Sequence, residues 1–192
     1  MEIAYLLEQW AEPYALLDLD YLSWGGTGAD DRAAEFGLML QNLSAVAANY
    51  RRAGIRLFIL AYFVRSPDEV RSVREAVGLP LRVVRLEVPL PDIERRLAGD
   101  VTSGRRDDLR AAAASIAAAE GAGVEDVVIG NDRPVGVVAR DVLTFLGWFQ
   151  ASRLRPPGRP HLAADRARLL VAVVVAWAGV GQRVVEPPYG TC

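Results

Sequence analysis

A chain of 192 residues, 52% hydrophobic and 24% charged, has the composition of a folded domain with a sizeable core. Its formal net charge of -2 excludes a chain-wide electrostatic footprint for nucleic acid. All 22 basic residues are arginine, and there is one cysteine, Cys192, and one histidine, His161; lysine chemistry, internal disulfides and cysteine-rich zinc sites are therefore excluded.

The balance of charge is uneven. Residues 149–192 hold 2 of the 24 acidic and 6 of the 22 basic side chains, which leaves 22 acidic and 16 basic ones in residues 1–148. A division near Trp148 into a 1–148 domain and a 149–192 tail is expected. The N-terminus lacks a basic segment followed by an apolar core, so no secretory signal is expected and the cytoplasm is the default compartment.

Ile3, Leu6, Leu7 and Trp10 share one face of a predicted helix over Glu2 to Trp10. It starts without a cap residue and reads as the back half of a helix. Pro13 ends it, and Tyr14 to Leu17 read as a short buried strand. Asp18 and Asp20 follow at the strand's end, walled by Tyr21, Leu22 and Trp24. In an open parallel sheet, ligands bind outside the carboxyl ends of the strands. Two carboxylates there could hold a hydroxyl, a metal-bound water or a cation. Equally, Asp18 could cap the turn and Asp20 start the next helix.

A glycine loop (Gly25, Gly26, Gly28) leads to an N-cap at Asp30 or Asp31 and a helix from about Arg32 to Ala53. Phe36, Leu40, Leu43, Val46 and Tyr50 fall at helical spacing, and Gly54 stops the helix. Ile55 to Phe63 is a nearly continuous apolar run, as in a strand covered on both faces. Ser66-Pro67-Asp68 opens a helix that ends near Gly78. Leu81 to Val88 is a third strand, and Pro91 starts a helix carrying Glu94, Arg95 and Arg96.

The polar stretch 99–108, with Gly104, Arg105 and Arg106, is expected to be a loop before an alanine-rich helix over about Asp107 to Glu120. Val124 to Ile129 is a fourth strand, then Gly130-Asn131-Asp132-Arg133-Pro134, then a helix from Val135 to about Leu146. Strands alternating with helices imply an α/β fold with a mainly parallel sheet.

The tail has its own pattern. Residues 153–160 form a stiff Pro/Arg-rich linker, and His161 beside it has no ligand set, so no metal site is assigned. Leu169 to Gln182 is a 14-residue uncharged run, shorter than the roughly 18 residues of a bilayer span. A buried strand or helix fits it, so no membrane partner is expected. A shifted reading frame after Trp148 would also produce such a tail.

In the order of these motifs, residues 1–148 resemble the P-loop small-molecule kinases, the group of adenylylsulfate kinase and chloramphenicol phosphotransferase. The carriers are Leu16-Leu17-Asp18-Leu19-Asp20-Tyr21-Leu22 with the long helix after it, the strand at 55–63, the arginines of 92–110 and Ile129-Gly130-Asn131-Asp132-Arg133. The resemblance implies a three-layer α/β sandwich of nucleoside-kinase type and transfer of phosphate from ATP with Mg2+ to a small hydroxyl-bearing acceptor. Asp18 and Asp20 would then orient that hydroxyl or act as its base. Arg95, Arg96, Arg105 and Arg106 would close over the phosphates, with solvated charge as the plainer reading. Asn131, Asp132 and Arg133 would pack on the adenine, with a turn and helix cap as the plainer reading.

These kinases open with a strand, a G-x-x-x-x-G-K-[ST] loop and a helix. Here the chain starts inside what would be that helix, so the central first strand is expected to be missing, leaving an unfilled slot in the sheet. Such an exposed slot would favour a homo-oligomer. An upstream segment before Met1, or a short protein that has lost transfer, would each explain this. A third expectation has Val171 to Val175 filling the slot. Gly179-Val180-Gly181 would then be a degenerate phosphate loop, with Gln182-Arg183 in place of Lys-Ser/Thr. The alternative to a kinase is a non-catalytic small-molecule or nucleotide-binding protein of the same fold, or an incomplete product without activity.

Overall fold

The computed structural model describes residues 2–10, 12–24, 31–98, 123–148 and 171–176. The fold is mixed α/β. Five strands, β1 (Tyr14–Asp18), β2 (Leu57–Ala61), β3 (Leu81–Glu87), β4 (Val127–Gly130) and β5 (Val171–Ala176), form one sheet in the order β1-β2-β5-β3-β4. Every strand pair is parallel. The helices among the described residues are α1 (Glu2–Gln9), α2 (Arg32–Arg52), α3 (Pro67–Val77), α4 (Leu90–Ala98) and α5 (Val135–Phe145), with a 3-10 turn over Leu19–Leu22. No helix among the described residues is long and apolar enough to cross a membrane.

Alternation along the strands sends side chains to two apolar cores. Ala15 and Leu17 of β1, Phe58 and Leu60 of β2, and Leu81 and Val83 of β3 meet Met39, Leu43 and Ala47 of α2 and Val70, Val73 and Val77 of α3. The intervening residues Leu16, Ile59 and Val84 turn the other way, onto Leu6 and Leu7 of α1 and Val138, Val142 and Leu143 of α5. Both cores are apolar throughout: no polar or charged residue is buried among the described residues. Removing this much hydrocarbon from water is the main drive for the fold.

Local chemistry sets the helix ends. Asp31 caps α2, its carboxylate accepting from the Ala33 N–H at 2.9 Å. Ser66 caps α3, with Pro67 at the first helical position. Gly78 ends α3 in the left-handed region, at φ 67°, where a Cβ would stand 2.8 Å from Arg51 Nη1. That guanidinium donates to the Val77 carbonyl at 3.2 Å, tying α2 to the end of α3.

The slot expected to be empty is filled. β5 pairs with β2 through Phe58–Ala61 on one side and with β3 through Leu81–Leu86 on the other. A charge-free, β-branched run suits a parallel strand paired at both edges, and it satisfies backbone groups that an open slot would leave bare. The expected strand over 55–63 is shorter, at 57–61, and the fourth strand starts at Val127, not Val124. The predicted loop and helix between 99 and 120, and the linker at 153–160, lie outside the described residues.

Val173 lies opposite both Leu60 and Val83, so Val173→Pro removes a donor from a ladder served on both sides. A loss of about 2–3 kcal/mol in urea unfolding is expected, from one stranded buried carbonyl plus strain. A change below about 0.5 kcal/mol would be that of a surface substitution and would contradict this sheet order.

Candidate functional site

Because every strand runs the same way, the carboxyl ends of all five share one edge of the sheet. The turn after β1 shapes one end of that edge. Leu19 is fully buried and pins the turn, while the Asp18 carboxylate accepts from the Asp20 N–H at 3.2 Å. Asn42 of α2 donates to the Leu22 carbonyl at 2.6 Å, and the Ser23 hydroxyl donates to the Asp20 carbonyl at 3.3 Å. Asp20 is thereby presented to a cleft of about 210 Å³. Its other walls are Ser23 from the turn, Arg32, Glu35, Phe36 and Met39 from α2, and Tyr62, Phe63 and Arg65 from the segment after β2.

Glu69 organises the far wall. Its backbone N–H donates to the Ser66 hydroxyl at 3.2 Å, and one carboxylate oxygen accepts from the Arg65 N–H at 2.7 Å. This is a variant of the reciprocal capping box, displaced by one residue at the incoming end. The other oxygen holds the Arg32 guanidinium at 2.8 Å, with side-chain exposures of 51% for Arg32 and 17% for Glu69. One carboxylate therefore fixes both guanidinium-bearing residues of the cleft. Arg65 also lies over the Phe63 ring, 5.1 Å from its centroid. Phe36 and Tyr62 stack with centroids 6.3 Å apart.

The electrostatics follow from this packing. Burial of the Asp20 carboxyl, and then the charge of Asp18 beside it, raise its affinity for a proton above the ordinary carboxylate level. Burial pushes the Tyr62 hydroxyl up to about 12; Glu69 and Asp20 add to that and Arg32 opposes it. Tyr62 therefore stays a hydrogen-bond donor at any physiological pH.

The expected acid pair divides its roles. Asp18 is the cap of the 3-10 turn, as the plainer reading had it, and is not part of the cleft wall; Asp20 lines it. Arg95 sits exposed on α4 and pairs with Asp92 at 2.6 Å, outside this cleft. Arg96 follows it on α4, its side chain outside the described set, and Arg105 and Arg106 lie outside the described residues. At the end of β4, the Asn131 N–H donates to the Glu87 carbonyl at 2.7 Å. Arg133 pairs with Asp141 at 2.7 Å and donates to the Gly130 carbonyl at 3.2 Å, and Asp132 approaches its Nε at 4.0 Å. β1 and β4 are the two outer strands, four strand spacings apart, so these groups stand about 19 Å along the same edge from the Asp18 end.

Arg32, Glu35, Tyr62, Phe63 and Arg65 escaped the reading of the sequence. One signal was there: Tyr-Phe-Val-Arg directly follows an apolar strand, then Ser-Pro-Asp-Glu, a capping-box spelling. No group of three acidic, histidine or cysteine side chains among the described residues could hold a metal ion. Compared with protein-family models, curated proteins and solved structures, the chain matches none.

Two substitutions test this description. A carboxyl whose folded-state pKa is raised favours the folded state only while protonated, so its contribution fades as pH rises from the unfolded value through the folded one. Asp20→Asn is therefore expected to melt higher than the parent at about pH 7 and equal to it at about pH 3. Glu69→Ala removes the Arg32 and Arg65 anchors together, and a loss of about 1–2 kcal/mol by denaturant titration is expected.

Proposed function

We propose that the chain is an ATP-dependent phosphotransferase for a small hydroxyl-bearing metabolite. Its fold would be a three-layer sandwich like that of the P-loop small-molecule kinases, with the strand that leads to the phosphate loop placed last in the chain. The observation that supports this is the strand order β1-β2-β5-β3-β4, in which β5 holds the central place that the kinases' first strand would take. Asp20 lines a cleft beside the same carboxyl edge, where an acceptor would meet the nucleotide.

The chain's own residues then divide the work. The Asp20 carboxylate accepts the hydrogen of the acceptor hydroxyl and takes its proton as that oxygen is phosphorylated, a role its raised proton affinity suits. Tyr62 donates to an acceptor oxygen, and Arg32 and Arg65 offset the negative charge of the cleft. ATP, when bound, supplies the phosphoryl group. Magnesium has no protein cage among the described residues and would come with the nucleotide's phosphates, so no step is assigned to it.

A second reading, a non-catalytic small-molecule-binding protein of the same fold, has its own support. The chain has no lysine to clamp phosphate, and the exposed Arg95 and Arg133 at the edge are already paired with Asp92 and Asp141.

Titrating the full chain with Mg2+-ATP, and assaying ADP release over a panel of hydroxyl-bearing acceptors, separates the two. Transfer predicts saturable ATP binding, and Asp20→Asn is expected to cut turnover by about 100-fold or more with ATP affinity unchanged. Absence of both ATP binding and ADP release would leave the binding-protein reading.

A further inference from the structure

The cleft is lined by side chains of both signs of charge. Asp20 and Glu35 bring carboxylates, and Arg32 and Arg65 bring guanidiniums. Arg32 and Glu35 are three residues apart on one helix, the spacing at which an ion pair would form. Yet Arg32 is drawn to Glu69 at 2.8 Å, and Glu35 has no ion-pair partner among the described residues. Glu69 also anchors the Arg65 backbone, and the Arg65 guanidinium lies over the Phe63 ring. Charges of both signs lining one cleft are complementary to a ligand that brings opposite charges of its own.

The size of the gap narrows the choice. At about 210 Å³ it lies below the roughly 300–1,000 Å³ of pockets that enclose drug-sized ligands. A ligand with one charge would leave the side chains of its own sign unmatched.

We propose that the cleft takes a small hydroxyl-bearing zwitterion of hydroxy-amino-acid size, its carboxylate on Arg32 and Arg65, its ammonium on Glu35 and its hydroxyl at Asp20. The assignment rests on the cleft being the acceptor's seat in the function proposed above. It needs no turnover to be tested.

Calorimetric titration of the full chain with three probes tests it: L-homoserine, 4-hydroxybutyrate, which lacks the ammonium, and 3-aminopropan-1-ol, which lacks the carboxylate. Homoserine is expected to bind about tenfold or more tighter than either analogue, the effect of one charge-assisted hydrogen bond. Glu35→Gln should weaken homoserine about tenfold and leave 4-hydroxybutyrate unchanged; Arg65→Gln should weaken homoserine similarly and leave 3-aminopropan-1-ol unchanged. Both side chains belong to exposed residues, and matching melting curves would show that each variant is folded. Equal binding of all three probes, or no saturation by homoserine at about 10 mM, overturns the inference. Homoserine binding without ADP release would sustain the inference and remove phosphotransfer. Transfer to an uncharged polyol with no homoserine binding would do the reverse.

Discussion

The backbone ladder that β5 makes with β2 on one side and β3 on the other is the constraint on which the sheet depends. Without it, β1-β2 and β3-β4 are two separate pairs, each with an inner row of bare amides and carbonyls. With it, the two pairs become one parallel sheet. A segment more than eighty residues after β3 is what joins the first half of the sheet to the second. Closing so long a connection adds only slowly to the entropic cost, since that cost grows with the logarithm of loop length. The gain is two full rows of hydrogen bonds.

The cleft is built on the first of these pairs. β1 lies directly beside β2, so the turn after β1 and the segment after β2 become adjacent walls. Glu69 then fixes what those walls present. Its N–H meets the Ser66 cap of α3, and its carboxylate anchors the chain at Arg65 and pairs with Arg32. Removing a single carboxylate would change the start of a helix and the charge pattern of a cleft together.

Asp20 shows the opposite balance. The turn that presents it beside Asp18, partly stripped of water, makes its charged form costlier than in the unfolded chain. Asp18, by contrast, serves the turn itself, which is why two acids only two residues apart differ in role.

Periodicity and capping chemistry in the chain alone determined the order and kind of the elements, because those signals are written in residues within one or two turns of each other. The strand at Tyr14–Asp18, the helix from Arg32 and the Ser66-Pro67 start are of this sort, whereas the charge-free run that holds Val171–Ala176 fitted either a strand or a helix. Spacing also placed Asp20 at a strand's carboxyl end. Only the tertiary structure decided that Val171–Ala176 is the central strand, because pairing partners are chosen by long-range register that leaves no mark on the paired residues. Likewise Arg32 and Glu69 stand 37 positions apart, and Asp20 reaches Arg65 across one cleft only after β1 pairs with β2. Side chains so distant in sequence become neighbours through burial of the cores beneath them, and no local pattern records it.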